Sequence, residues 1–500
     1  MNALLDHLAL GFGEALTWMN LGFCLAGCLI GTLVGVLPGL GPVATIAMLL
    51  PATYALPPVT ALIMLAGIYY GAQYGGSTTA ILLRLPGESS SVITCLDGNA
   101  MARNGRAGSA LTVAALGSFF AGTVATLLLA ALSSPLASVA QRFGPAELFL
   151  LMVLGLIAAV VLAQGSFVRS LAMILAGLLL GTVGGDVNSG VQRFTFGLGV
   201  LSDGLGFVPV AMGLFGVAEI IANLVRGDGG GGKVERIGSL WPTKAEAREA
   251  APAVLRGTVV GSLLGILPGG GATLASFVAY TVEKKLAREP WRFGRGAVAG
   301  VAAPESANNA GAQTSFVPLL TLGLPANAVM AMMVGAMMMH GIAPGPGVID
   351  SQPALVWGMV ASMWVGNLML VVINLPLIGW WVKLVSVPYR LLYPAVLVFC
   401  LVGVYSVNNS TAEVLLTALF GVVGWLLQRW RCDAAPLLLA FVLGPMLEEN
   451  LRRALLLSRG NPAVFIDSPI AVALLALAVV LVIAVALPRV RRLRGVAFAE

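Results

Sequence analysis

The sequence predicts an all-α polytopic membrane protein made of two halves with opposite membrane orientation. Three observations carry this. First, 58% of the 500 residues are hydrophobic and 10% are charged, against about 25% charged in a soluble globular domain. Second, Gly31-Thr-Leu-Val-Gly35-Val-Leu-Pro38-Gly39-Leu-Gly41 returns as Gly261-Ser-Leu-Leu-Gly265-Ile-Leu-Pro268-Gly269-Gly-Gly271, an offset of 230 residues (261 − 31). Third, lysine and arginine flank the second copy on both sides and the first copy on neither, and basic residues mark cytoplasmic loops.

Apolar runs long enough to span about 30 Å of hydrocarbon recur along the whole length, and mean hydropathy is +0.94. No polar stretch is long enough for a separate soluble domain, which argues against nucleic-acid binding. The longest, 226–251, is expected as a cytoplasmic linker. Cys24, Cys28, Cys95, Cys400 and Cys432 have no metal-ligand spacing and are expected as small core residues. The N-terminus lacks the basic region and cleavage site of a signal peptide, so its first apolar segment is expected to stay.

The N-terminal repeat is placed at 1–225. Met1 to Glu14 is a short lead, expected as an interfacial helix. Residues 21–56 carry the first motif copy between arms of about 15 residues, short for a span of about 20. Asp6 and Glu14 precede it and no charge follows from Ala52 to Pro58, so it is read as a re-entrant hairpin opening outward. Residues 60–83 read as a helix broken at Gly71 to Thr79. The loop after it carries Arg84, Arg103 and Arg106 against Glu88 and Asp97 and is expected inside. Four spans follow, near 111–132, 148–163, 171–183 and 205–225.

The C-terminal repeat is placed at 252–448. Its hairpin, 254–282, follows Lys233, Arg236, Lys244, Arg248 and Arg256, and precedes Lys284, Lys285, Arg288, Arg292 and Arg295. A segment with both ends cytoplasmic must turn within the membrane. Residues 296–323 read as a second broken helix, interrupted from Pro304 to Ser315. Spans follow near 356–377, 392–407, 414–427 and 436–446. Residues 449–500 hold a last span and a tail with Arg489, Arg491, Arg492 and Arg494. The C-terminus is therefore expected in the cytoplasm and the N-terminus outside. Inverted repeats with discontinuous helices are the architecture of secondary transporters.

Backbone broken inside a bilayer is tolerated only where protein, water or ligand satisfies it. Half-helix N-termini suit anions, and free carbonyls suit small cations. The substrate-binding candidates are accordingly Gly39, Gly41, Gly76, Ser77, Thr78, Gly269, Gly271, Asn308, Thr314 and Ser315. Thr79, Glu305 and Asn309 are candidates for Na⁺. Glu305, in a predicted break with no partner close in sequence, is expected either to bind a cation or proton or to cap a half-helix. The methionines between Met330 and Met339 suit adaptable packing rather than copper. With only His7 and His340 as histidine bases and no serine or histidine-cluster spacing beside them, enzyme chemistry is not expected.

Gly35-x-Leu37-Pro38-Gly39-x-Gly41, Tyr70-Gly-Ala-Gln73-Tyr-Gly-Gly76-Ser77, Ala303-Pro-Glu305-Ser-Ala-Asn308-Asn309-Ala, Tyr405-Ser-Val-Asn408-Asn409-Ser410 and Gly444-Pro-Met-Leu-Glu448…Leu451-Arg-Arg453 together resemble the large membrane subunit of tripartite tricarboxylate transporters, the TctA family. The resemblance covers nearly the whole chain. It implies a bacterial inner-membrane subunit taking up tricarboxylates or related carboxylates, coupled to a Na⁺ or H⁺ gradient and without a resident cofactor. It also implies two partners, a small four-helix membrane subunit (TctB-like) and a periplasmic substrate-binding protein (TctC-like). The mechanism expected is alternating access of the elevator kind, in which hairpins and broken helices move against a scaffold. A carboxylate-selective channel is the alternative.

Overall fold

The computed structural model describes residues 2–37, 41–162, 166–186, 189–226, 239–267, 271–385 and 389–486. In chain order the first helices are α1 Asn2–Ala15, α2 Trp18–Val36, α3 Pro42–Thr53, α4 Pro58–Leu83, α5 Thr94–Met101, α6 Ala107–Ala140, α7 Pro145–Leu162 and α8 Phe167–Gly181. A short antiparallel ribbon, β1 Gly184–Gly185 with β2 Gln192–Arg193, precedes α9 Phe207–Ala211, which runs through a π-helical turn into α10 Ala218–Arg226. Next come α11 Lys244–Gly265, α12 Gly271–Leu286, α13 Ala299–Thr314, α14 Phe316–Leu322, α15 Ala328–Met339 and α16 Val348–Ser351. The last are α17 Pro353–Asn374, α18 Ile378–Val385, α19 Tyr389–Asn408, α20 Thr411–Arg429, α21 Ala434–Leu457 and α22 Pro469–Ala486.

Six stretches among the described residues are long and apolar enough to cross a bilayer: Trp18–Val36, Thr94–Ala140, Phe207–Val225, Pro353–Asn374, Thr411–Arg429 and Ala434–Leu457. Shorter apolar helices, among them Pro42–Thr53, Phe167–Gly181 and Pro469–Ile483, accompany them. The chain is thus an all-α, multi-pass membrane protein. The two motif tips, residues 38–40 and 268–270, lie outside the described residues.

Two helices form the centre. Every residue from Thr60 to Leu82 in α4 and every residue of α13 is buried. Small residues on such helices let neighbouring backbones come close. On α2, a Cβ at Gly27, Gly31 or Gly35 would lie 2.3, 2.4 or 2.3 Å from the carbonyl oxygens of Met64, Ile68 and Ala72 on α4. In return, Gly67, Gly71 and Gly75 of α4 press against the backbone of α2. The same contact forms between α11 and α13. There a Cβ at Gly257, Gly261 or Gly265 would lie 2.3, 2.4 or 2.4 Å from the carbonyl oxygens of Ala303, Ala307 and Gly311.

These contacts correct the two predicted helix breaks. The stretch from Gly71 to Thr79 is continuous helix within α4, and Pro304 to Thr314 is continuous within α13. The glycines are used for interhelical approach, not for termination. Two of the hydroxyls are spent inside the helix: Thr78 and Thr79 donate to the carbonyls of Tyr74 and Gly75 at 3.1 and 3.3 Å. Thr314 donates to the Ala310 carbonyl at 3.0 Å. Proline removes one backbone donor, and α13 tolerates this at Pro304 because it is buried in protein on all sides. A change of helix comes only at Ser315, between α13 and α14. The expected linker 226–251 is also shortened, since α11 begins at Lys244. Thr243 caps it: its hydroxyl accepts from the Glu246 N–H, and the Glu246 carboxylate accepts from the Thr243 N–H, a reciprocal capping box. The methionine-rich stretch forms α15, with Met330, Met332, Met333 and Met337 buried in the main core.

Two carboxylates tie the first half of the chain to the second. Asp97 of α5 is fully buried. It accepts from the backbone N–H groups of Gly294, Gly296 and Ala297 at 2.8–3.0 Å and from the Tyr280 hydroxyl at 2.9 Å. Glu246 accepts from Arg106 at 2.9 Å and from Ser109 at 3.2 Å, both beside the start of α6. Burial raises the Glu246 carboxyl pKa, but the Thr243 N–H, the Arg106 guanidinium and the two hydroxyls outweigh it and hold the group below its ordinary value.

Candidate functional site

The polar residues of α4 and α13 meet where the two helices cross. Gln73 Nε2 donates to Asn308 Oδ1 at 3.1 Å, and one turn along Ser77 Oγ donates to Glu305 Oε2 at 2.5 Å. Residues four apart on one helix and three apart on the other share a face, so the two bonds form successive rungs. Thr94 of α5 donates to the other Glu305 oxygen at 2.5 Å. Asn309 turns the other way, donating to Ser118 Oγ of α6 at 2.7 Å and to the Glu305 carbonyl at 3.2 Å. Glu305 is 1% exposed.

A second carboxylate arrives on the turn after α4. Arg84 ends that helix in left-handed conformation, at φ +59°. The chain then folds back over it. A Cβ at Gly87 would lie 2.3 Å from the Gly35 carbonyl oxygen and 2.4 Å from the Gly76 Cα, so only glycine fits. Glu88 is thereby laid against Gly76, where a Cβ would stand 3.2 Å from its Cγ. Asn308 Nδ2 donates to Glu88 Oε1 at 3.2 Å, and Ser90 Oγ donates to the same oxygen. Ser89 Oγ and Thr273 Oγ1 lie 2.9 Å apart, which joins this turn to the start of α12, just past the second motif tip.

The hydrogen-bond partners of the two carboxylates among the described residues are hydroxyls, one amide and one backbone N–H. None carries positive charge. Gln73 Oε1 and Asn309 Oδ1 are buried without a partner. A small cleft lined by Tyr74, Ser77, Thr78, Ser118, Glu305 and Asn374 opens beside the cluster. The arrangement is a buried, oxygen-rich centre with an excess of acceptors. Such a centre suits a small hard cation, and its amides and hydroxyls suit a polar ligand.

The structure gathers five of the sequence candidates here: Gly76, Ser77, Glu305, Asn308 and Asn309. Thr78 lines the cleft. Thr79 donates within its own helix and stands 3.2 Å from where a Gly87 Cβ would be. Thr314 and Ser315 lie further along the chain, with hydroxyls spent on the carbonyls of Ala310 and Ala312. Gly41 caps α3 in open space. Gly271 starts α12 at φ +49°, beside Asn327. Gly39 and Gly269 lie outside the described residues. Five contributors were not among the candidates: Gln73, Glu88, Ser90, Thr94 and Ser118. The sequence does signal Glu88, a carboxylate just past a Leu-Pro-Gly turn, but there it reads as one loop charge among several.

The profile of the tripartite tricarboxylate transporter TctA family matches residues 21–439. The chain belongs to this family. It is 58% identical over 500 residues, the whole of both chains, to an uncharacterized 52.8 kDa protein in the TAR-I ttuC′ 3′ region of Agrobacterium vitis. It is also 58% identical over 240 residues, 48% of this chain and 99% of the relative, to an uncharacterized protein in the TAR-II ttuC′ 3′ region of the same organism. No solved structure matches the chain. As a TctA-family member it is a transport protein of the large-subunit type, and the crossing of α4 and α13 is the polar centre of its membrane domain.

Proposed function

We propose that this TctA-family chain is the translocating subunit of a binding-protein-dependent secondary transporter. It imports tricarboxylates or related carboxylates across the bacterial inner membrane, driven by a Na⁺ or H⁺ gradient. It works with a TctB-like four-helix membrane subunit and a TctC-like periplasmic binding protein. The observation that carries this reading is the buried meeting of Gln73, Ser77, Glu305 and Asn308 where the buried stretch of α4, Thr60 to Leu82, crosses the wholly buried α13. Polar groups placed so deep in a membrane protein are costly, and where they occur they mark substrate or ion pathways.

The reading includes two inverted repeats, 1–225 and 252–448, with the N-terminus periplasmic and the C-terminus cytoplasmic. What supports it is the matched pair of glycine contacts, α2 on α4 and α11 on α13, at a constant offset of 230 on the first partner (257 − 27, 261 − 31 and 265 − 35). α2 and α11, the helices that precede the two motif tips in the chain, are each fixed to one of the two central helices. In an elevator-like cycle these two pairs travel together, and α7, α8, α21 and α22 belong to the scaffold.

The test is uptake of a panel of radiolabelled carboxylates into proteoliposomes holding both membrane subunits, with Na⁺ and pH varied separately. Saturable uptake that requires the binding protein and a cation gradient supports the reading. Flux that neither saturates nor needs the binding protein contradicts it and favours a channel.

A further inference from the structure

We propose that Gln73 and Glu88 complete, with Glu305 and Asn308, one dehydrated site for a Na⁺-sized monovalent cation, shared by the two halves of the chain. The inference rests on the transport reading above and assigns its coupling ion a place. Its core is a mismatch between acceptors and donors. Two carboxylates face one amide pair, and no described partner of either is a cation. Each donor within reach is already committed: Ser77 and Thr94 to Glu305, Ser90 and Asn308 to Glu88, and Gln73 Nε2 to Asn308. Gln73 Oε1 is left over, on a side chain that is 0% exposed. Buried acceptors of this kind are paired in native proteins, and an orphan beside uncompensated carboxylates marks a place for an ion.

The donor set selects the ion class. Among the described residues no group of three or more His, Cys, Asp or Glu side chains is close enough to hold a metal together, so the tight ligand set of a transition metal is missing here. Carboxylate, amide and hydroxyl oxygens suit a hard cation. The site also spans elements that a transport cycle has to coordinate. Gln73 comes from α4, Glu88 from the turn that packs against Gly35 and Gly76, and Glu305 and Asn308 come from α13. Through Ser89 and Thr273 the same turn touches α12. A cation bound there holds the turn, the start of α12 and both central helices in one arrangement.

The test is a Na⁺ titration of the purified full-length protein, read by ²²Na⁺ binding and by thermal unfolding, with K⁺ and choline as controls. Uptake into proteoliposomes is measured in parallel. Wild type is expected to bind Na⁺ saturably and to melt at higher temperature as Na⁺ rises. Glu88→Gln and Gln73→Leu are each expected to weaken Na⁺ binding by about tenfold or more, the scale of one lost charge-assisted contact. Gly22→Ala, on the open face of α2, is expected to bind as wild type does. Na⁺ binding unchanged in both site variants overturns the proposal. So does a wild type that binds no Na⁺, a result that needs no variant to fold. Loss of Na⁺ binding in these variants with carboxylate uptake intact overturns the coupling role given to the site and leaves the transport reading standing, whereas absence of carboxylate uptake under every gradient overturns the transport reading.

Discussion

Replacing Gly31 by alanine adds one methyl group where α2 meets α4. Its Cβ would lie 2.4 Å from the Ile68 carbonyl oxygen and 2.8 Å from the Ile68 Cα, while ordinary contact begins near 3.4 Å. Both obstacles are backbone, so no side chain can swing aside, and the helices must part by roughly 1 Å along a contact that otherwise holds dispersion energy. Overpacking of this kind costs about 1–3 kcal/mol, and a rigid backbone obstacle places Gly31→Ala toward the upper end. The control is Gly22→Ala in the same helix, where nothing stands within 4 Å. There alanine gains about 1 kcal/mol of helix propensity. The pair therefore differs by about 2 kcal/mol or more in opposite directions. Gly261→Ala, 2.4 Å from the Ala307 carbonyl oxygen, should behave as Gly31→Ala does. Thermal unfolding in detergent micelles, followed by the monodisperse fraction on size exclusion, reads the difference. If Gly31→Ala and Gly261→Ala both melt with Gly22→Ala, close backbone packing is not what holds α4 and α13.

Asp97→Asn places an amide donor against three backbone N–H groups and should destabilise the protein by about 3 kcal/mol, whereas Tyr280→Phe removes the hydroxyl's bond to Asp97 and should cost about 1 kcal/mol; the ranking is read by thermal unfolding. Glu246 provides a pH test. Its folded-state carboxyl lies below the ordinary value, so its contribution to stability is complete above the unfolded pKa of about 4.3 and is lost as pH falls through the lower folded value. Wild type should therefore lose stability more steeply than Glu246→Gln in that acid window, and parallel melting curves would refute the assignment. Ser118→Ala frees Asn309 from α6 and should lower uptake while expression stays normal; unchanged uptake would assign Ser118 to packing.

The all-α, membrane-crossing character was legible because 58% of the residues are hydrophobic and the apolar runs are long. Gly31, Gly35, Gly261 and Gly265 were legible as a repeated spacing, and the structure uses them for close helix contact. Helices also lie where the later spans were expected, since long apolar runs leave few alternatives. The helix breaks were misread because glycine and small hydroxyls have two uses in a membrane, to end a helix or to let another helix approach. The local sequence of Gly71 to Thr79 is compatible with both, and only the partner helix decides. The same ambiguity shifted a correspondence. Gly71-Ala-Gln73 matches Gly311-Ala-Gln313 as text, yet in contact Ala72 and Gly311 occupy equivalent places, facing Gly35 and Gly265, one residue out of register with the text. Glu88 and Asp97 escaped for a different reason. Both read as loop charges balancing Arg84, Arg103 and Arg106, while the fold turns them inward onto Asn308 and the 294–297 backbone.

The central claim is that transport passes through the polar crossing of α4 and α13. Asn308 is the residue that joins its parts, accepting from Gln73 and donating to Glu88. Carboxylate uptake by Asn308→Ala in proteoliposomes, with insertion and binding-protein association verified against Gly22→Ala, tests that claim most directly. Uptake should fall by about tenfold or more, the effect of losing roughly 1.4 kcal/mol of site stabilisation. Uptake equal to that of Gly22→Ala would contradict the account.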